Sequence, residues 1–316
     1  MVKKKILVTG GSGYQGVKLI RKLIDNDYSV INIDNNLFGN YFFKDKKVKN
    51  FKLDINQIYK INLNGVFACI HLASIANDPM VDLDQSFSWE TSALGTMVLM
   101  EHLKKHKVKK IIFASSGSVY GIKNEKKVTE KLSLKPISTY NKVKMVTERV
   151  ILSYKKFLKV IILRPATVCG YSPRMRLDLT VNMLTFHALK NKKIIVFGGK
   201  QKRPNIHIDD LIDAYMFFLK KNIDTDIYNI GFENLSIMNI AKKISKIIKT
   251  KIVVKKNSND ARSYNLDSSK LLKTGFKPKK NISDAIFELK DLFEKKFLKD
   301  KANFHSIQWL RKKLNK

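Results

Sequence analysis

ILVTGGSGYQG, residues 6–16, decides how the rest of the chain is read. Three apolar residues and a threonine run into glycines at positions 10, 13 and 16, and an amphipathic stretch over 14–25 follows at once. A short apolar run that turns sharply into a helical pattern is a strand–turn–helix signal. Glycine permits the tight turn and lets the backbone approach a pyrophosphate at the helix N-terminus, where unpaired N–H groups favour an anion. The stretch is not a P-loop, because Val17 follows Gly16 where Lys and Ser/Thr would be needed. Any tight strand–helix turn can use glycines in this way, so the surrounding chain has to supply the rest.

Downstream, β-type runs at 29–33, 50–53, 66–72, 110–115 and 159–164 alternate with helical stretches at 85–106 and 138–155. Such alternation predicts a parallel sheet with helices on both faces. Asp34 closes the second strand about twenty residues beyond the glycines, where a carboxylate can bond the adenosine ribose and repel a 2′-phosphate, favouring NAD over NADP. An Asx turn is the plainer role for Asp34. Asp54 ends the third strand, facing the adenine or capping a helix. After Pro165 the alternation loosens. A loop at 171–176, a helix near 179–189, strands at 194–197 and 227–230, helices near 237–248 and 283–297, and a terminal helix within 303–316 are expected. No internal repeat, Pro/Gly linker or low-complexity segment is visible.

The chain of 316 residues is 44% hydrophobic and carries a formal charge of +34. A basic chain suggests nucleic acid or acidic membranes. Only eight of the 61 basic residues are arginine, however, and the lysines scatter as KKK at 3–5, KKHK at 104–107 and KNKK at 190–193. Arginine is the residue of bidentate base and phosphate recognition, so this pattern reads as solvated faces that attract anionic substrates, with no nucleic-acid partner. No apolar run reaches the roughly 18 residues of a membrane span, and Ile6–Val8 is too short for a signal peptide. Two cysteines in apolar segments argue against a disulfide framework and for a reducing, cytoplasmic setting. No metal site is expected.

Tyr140 and Lys144 stand four apart in STYNKVK, so on a helix the ammonium lies near the phenol. A nearby positive charge favours the phenolate and makes tyrosine a usable base. SSGSVYG at 115–121 begins where the fifth strand ends, at the edge where open α/β sheets bind ligands. Ser116 could meet the same reacting oxygen as Tyr140; a strand-end cap is its plainer role.

Together these pieces resemble an extended short-chain dehydrogenase/reductase of the nucleotide-sugar epimerase/dehydratase branch, from about residue 4 to 292. TGGSGYQG, Asp34, LDI at 53–55, HLAS at 71–74, SSGSVYG, YNKVK, RPATVCG at 164–170, FGGKQKRPNIHIDD at 197–210 and ARSYNLDSSKLLKTGFKPKK at 261–280 carry the likeness. The implied fold is α/β: a Rossmann-type doubly wound parallel sheet with a smaller mixed C-terminal substrate-binding lobe. Residues 1–166 would form the NAD-binding domain, with later returns near 204–232, and 167–203 with 233–316 the nucleotide-sugar-binding lobe. The resemblance assigns catalysis to Ser116, Tyr140 and Lys144. It assigns NAD contacts to Gly10, Gly13, Tyr14, Gln15, Gly16, Asp34, Asp54, Ile55, Leu72, Ala73, Tyr140 and Lys144. A nucleotide-diphosphate sugar would meet Ser116, Asn182, Arg203 and Arg262, while Arg174 and Arg176 either serve the site or sit in a solvated loop. A homodimer through the helices near 85–106 and 138–155 is also implied.

The expected reaction is epimerisation through transient C4 oxidation. A nucleotide-sugar 4-dehydrogenase or 4-keto reductase is the nearest alternative. Related 4,6-dehydratases typically carry an acid in the two positions after the catalytic hydroxyl. Gly117 and Ser118 stand there, which disfavours elimination unless an acid from elsewhere substitutes. A nucleic-acid-binding protein on a retained Rossmann fold is the non-enzymatic alternative. Thr167 and Ser92 replace asparagines usual in R-P-x-N-V-Y-G and N-x-x-G-T, leaving a diphosphate contact and a hydrogen bond to the active-site strand in question.

Overall fold

A computed structural model describes residues 4–255 and 264–314. Seven parallel strands form the central sheet: β1 Lys5–Thr9, β2 Ser29–Asp34, β3 Val48–Lys52, β4 Val66–His71, β5 Lys110–Ala114, β6 Lys159–Pro165 and β10 Asp226–Ile230. Their order is β10-β6-β5-β4-β1-β2-β3. The chain therefore winds outward from β1 in one direction and from β4 in the other. The ends of β1 and β4 open a crevice at this switch point, where ligands bind in such sheets.

β1 shows why the sequence reads as it does. Ile6 and Val8 face one core cluster and Leu7 the other, so a strand covered on both faces is apolar throughout rather than alternating. Helices α1 Tyr14–Asp25 and α7 Ile208–Lys220 cover one face. The other is covered by α4 Gly95–Lys105 and α5 Thr139–Ser153. Two short helices, α2 Asp78–Val81 and α3 Gln85–Trp89, precede α4.

The smaller lobe holds two further sheets. β7 Thr167–Cys169 runs parallel to β9 Lys202–His207, which pairs antiparallel with β11 Glu233–Ser236; β8 Lys193–Phe197 pairs with β12 Lys251–Lys255. Helices α6 Thr180–Asn191, α8 Ile237–Ile248 and α10 Ile282–Glu294 bury Val181, Leu184, Ile240, Ile244 and Ile286 in a separate cluster. The short α9 Ser269–Lys273 lies beside β10, and α11 Ser306–Leu314 closes the described chain. No helix among the described residues is long and apolar enough to cross a membrane.

The structure departs from the pattern-based expectation in three ways. β7, β9, β11 and β12, with the short helices α2 and α9, are not expected from the pattern, being short, charged at their ends or half-exposed. α7, with nine of its thirteen residues buried, is likewise not expected from the pattern. The stretch expected as one helix over 85–106 is interrupted by a π turn at Glu90–Leu94, next to the crevice.

Candidate active site

The glycine turn builds the first wall of the crevice. Gly10 has φ +73°, and a Cβ there would lie 2.7 Å from the Ala73 nitrogen. At Gly16 a Cβ would collide with the Gly10 carbonyl, so the helix could not approach the turn. α1 starts at Gly13 with no side-chain cap and no acid in its first turn, leaving its N–H groups to an anion. These features fit the pyrophosphate of a dinucleotide.

Beyond the turn, a cavity of about 100 Å³ is lined by Gly10, Gly13, Asp34, Asp54, Ile55, Leu72 and Ala73. Asp34 accepts from the Ser12 N–H at 2.9 Å and the Asn36 N–H at 2.7 Å. Burial raises its pKa, against those two donors. Asp34 is thus both an Asx turn and a wall of the cavity. Asp54 caps the turn after it through the Asn56 N–H at 3.0 Å and lines the same cavity.

A second cavity, of about 130 Å³, runs inward past Gly13, Tyr14, Gln15, Gly16, Leu72, Ala114, Tyr140 and Lys144. It meets a third, of about 320 Å³, at Tyr14, Gln15, Ser115 and Tyr140, which line both. Ser116, Ser118, Thr167 and Arg203 belong to the third. Tyr140 therefore stands at the junction, with Lys144 one helical turn behind it.

Lys144 donates to the Ala114 carbonyl at 2.9 Å and lies over the Phe113 ring. Burial pushes its pKa down to about 8, with Glu148 acting in the opposite direction. Glu148 accepts two bonds from Arg164, at 2.9 and 2.6 Å, and one from the Ser115 hydroxyl at 2.5 Å. Arg164 also donates to the Tyr120 hydroxyl, which donates to Asn229 on β10. This buried network fixes α5 relative to the ends of β5 and β6, and so fixes Tyr140 relative to Ser116.

A second buried chain fixes the opposite wall. The ring of His71 lies between Thr9 Oγ1 at 2.6 Å and Thr96 Oγ1 at 2.9 Å, and burial holds it neutral, its pKa lowered to about 3. Ser92, standing in place of an asparagine, is within hydrogen-bond distance of Ser74, at 3.1 Å between hydroxyl oxygens. The tie to this wall is thus made through Ser74 and through Thr96, whose hydroxyl donates to the Ser92 carbonyl.

Ser116 Oγ lies 2.8 Å from the Ser118 hydroxyl, which donates to Asn141 at 2.5 Å. Two carboxylates reach the third cavity from other segments. Asp178 is held by Arg176 through a bidentate pair that lowers its pKa. Asp78 accepts from the Ser138 hydroxyl.

Asn182 is the expected substrate contact on α6. Its side chain is fully buried, accepts from the Gly170 N–H, and donates to Tyr14 and to the Arg176 carbonyl. Those bonds brace Tyr14 and the loop before α6. Arg203 lines the cleft from β9, and Arg262 lies outside the described residues. Arg174 and Arg176 are not in a solvated loop: both line the second cavity, with Ser306 of α11 beside them. Their scarcity was a usable signal, since two of eight arginines share one loop. Ser306, and Ile307 in the third cavity, gave none.

A glycine turn at a helix N-terminus, an acid closing the next strand and a crevice at the switch point define a dinucleotide-dependent protein of the Rossmann class. The sequence pattern of the NAD dependent epimerase/dehydratase family matches residues 6–231, and the chain belongs to that family. It is 31% identical over 297 residues to a putative UDP-glucose 4-epimerase of Methanocaldococcus jannaschii, covering 89% of this chain and 95% of the relative. It is also 31% identical to a dTDP-D-glucose 4,6-dehydratase of Dictyostelium discoideum, covering 77% and 62%. Among solved structures, the UDP-glucose 4-epimerase of Thermotoga maritima with UDP-glucose superposes with a TM-score of 0.83 at 28% identity, covering 93% of this chain and 100% of that one. The protein is an NAD-dependent enzyme of the epimerase/dehydratase family.

Proposed function

We propose that the protein is a nucleotide-sugar epimerase working through transient oxidation at C4 of the sugar. The observation that carries this reading is the position of Tyr140 at the junction of the inner and outer cavities, with Lys144 behind it and Ser116 in the outer one. Tyr140 takes the proton of the C4 hydroxyl, and Ser116 hydrogen-bonds the same oxygen. The Lys144 ammonium stabilises the phenolate. NAD, held by Gly10, Gly13, Gly16 and Asp34, supplies a reversible hydride acceptor. Loss of the hydroxyl proton and of hydride from C4 leaves a ketone. Reversal on the opposite face inverts the carbon with no net oxidation.

Arg203, which lines the outer cavity, meets the diphosphate in this reading as a bidentate fork. UDP-glucose, named for the M. jannaschii and T. maritima proteins, is the first substrate to test. Elimination is disfavoured by the missing acids at Gly117 and Ser118. Asp178, held ionised by Arg176, does not replace them.

The test is product analysis by NMR and mass, with NADH absorbance followed throughout. The wild type is expected to yield a C4-inverted sugar of unchanged mass. Tyr140→Phe should lose about 10²- to 10⁴-fold in rate, the usual worth of a positioned base, while keeping its NAD. NADH accumulating with product would make the enzyme a dehydrogenase, and loss of water would make it a dehydratase. Either outcome overturns the epimerase reading.

A further inference from the structure

Arg174 lies in the loop between β7 and α6 and is only 2% exposed. Its guanidinium carbon sits 4.7 Å from the centre of the Phe38 ring, in the segment after β2. Nη2 donates to the Ser306 hydroxyl at 3.0 Å, and Nη1 reaches the Met175 carbonyl at 3.4 Å. Nε is buried and has no hydrogen-bond partner among the described residues. The acid in the same loop, Asp178, is engaged by Arg176. Among the described residues no carboxylate is hydrogen-bonded to Arg174 itself, and Arg174 lines the cavity that also holds Gly10, Gly13 and Gly16.

Asp178 and Asp34 lie near enough to act on the Arg174 charge, but neither fills the open Nε position, and a buried cation with an unmet donor is costly until an anion sits beside it. The uncapped α1 N-terminus across the cavity favours an anion at the same place. We propose that Arg174 is the counter-ion of the cofactor's pyrophosphate, a contact that the smaller lobe makes with the dinucleotide. Phe38 and Ser306 hold the guanidinium plane in position. α11 and the turn before it are therefore part of the cofactor site: Asn303, in that turn, donates to the Phe38 carbonyl at 2.7 Å, Trp309 to the Leu37 carbonyl at 2.7 Å, and Leu310 is buried beneath. The proposal rests on the dinucleotide reading of the groove and not on which sugar is bound.

Titration calorimetry of the full chain, freed of cofactor, with NAD, ADP and adenosine tests it. Arg174→Met should weaken NAD and ADP by about 10- to 100-fold, as expected for loss of a charged hydrogen bond, and leave adenosine within twofold. Arg174→Lys, which keeps the charge and loses the planar fork, should fall between. If Arg174→Met does not fold, Ser306→Ala keeps the guanidinium and removes its tether, and its smaller loss should again spare adenosine. Unchanged NAD affinity in a folded variant, or an equal loss for adenosine, overturns the proposal. Failure of the wild type to bind NAD overturns the dinucleotide reading itself.

Discussion

Lys144 carries the clearest pH signature in the site. Its folded pKa is pushed down to about 8 by burial, so the amine is charged below that value and neutral above it. In the proposed mechanism the support it gives a Tyr140 phenolate is present below about pH 8 and lost as pH rises. The rate should therefore fall by about tenfold per unit above pH 8, as a single ionisation requires, and a profile flat to pH 10 contradicts the assignment. The stability term has the opposite sense. Because the folded state releases this proton before the unfolded state does, the wild type should gain stability relative to Lys144→Met as pH rises from about 8 toward the ordinary lysine value. At this scale the sequence was legible where spacing carries chemistry: Tyr140 and Lys144 share a helical face, and three glycines mark one turn. It was not legible that Asn182 bonds Tyr14, because a polar residue in a motif reads the same whichever neighbour it meets.

Between α5, β6 and β10, the Glu148–Arg164 pair is buried on both sides, at 2% and 4% side-chain exposure. Removing one partner strands the other charge. Glu148→Gln should destabilise the protein by about 3–5 kcal/mol in urea unfolding, whereas replacing both residues by apolar side chains of similar volume should cost far less. A single-variant loss below 1 kcal/mol would show that the pair is not what fixes α5 to the sheet. The strands of the large sheet were readable because both faces are covered, which makes their residues uniformly apolar. The same reasoning does not reach α7, nine of whose thirteen residues are buried. It fails also for β9, where Lys202, Arg203 and Pro204 interrupt any alternation. Arg203 was recognised from its motif while the strand carrying it was not.

Taken as a whole molecule, the doubly wound sheet and its switch point follow from strand–helix alternation, which is local. Which distant segments complete the groove does not. Phe38, Arg174, Asp178 and Ser306 come together from three parts of the chain, and only packing brings them there. The charge of +34 likewise gave no hint of the site, since lysines such as Lys18, Lys22 and Lys280 are paired with Asp209 and Asp213 at the surface. What defines the function is the claim that C4 is oxidised and reduced again within one turnover. UDP-glucose carrying deuterium at C4 tests this most directly. Inverted product that keeps its deuterium at C4, with no NADH accumulating, is the predicted result. Deuterium transferred to accumulating NADH, or lost to solvent from C4, would contradict it.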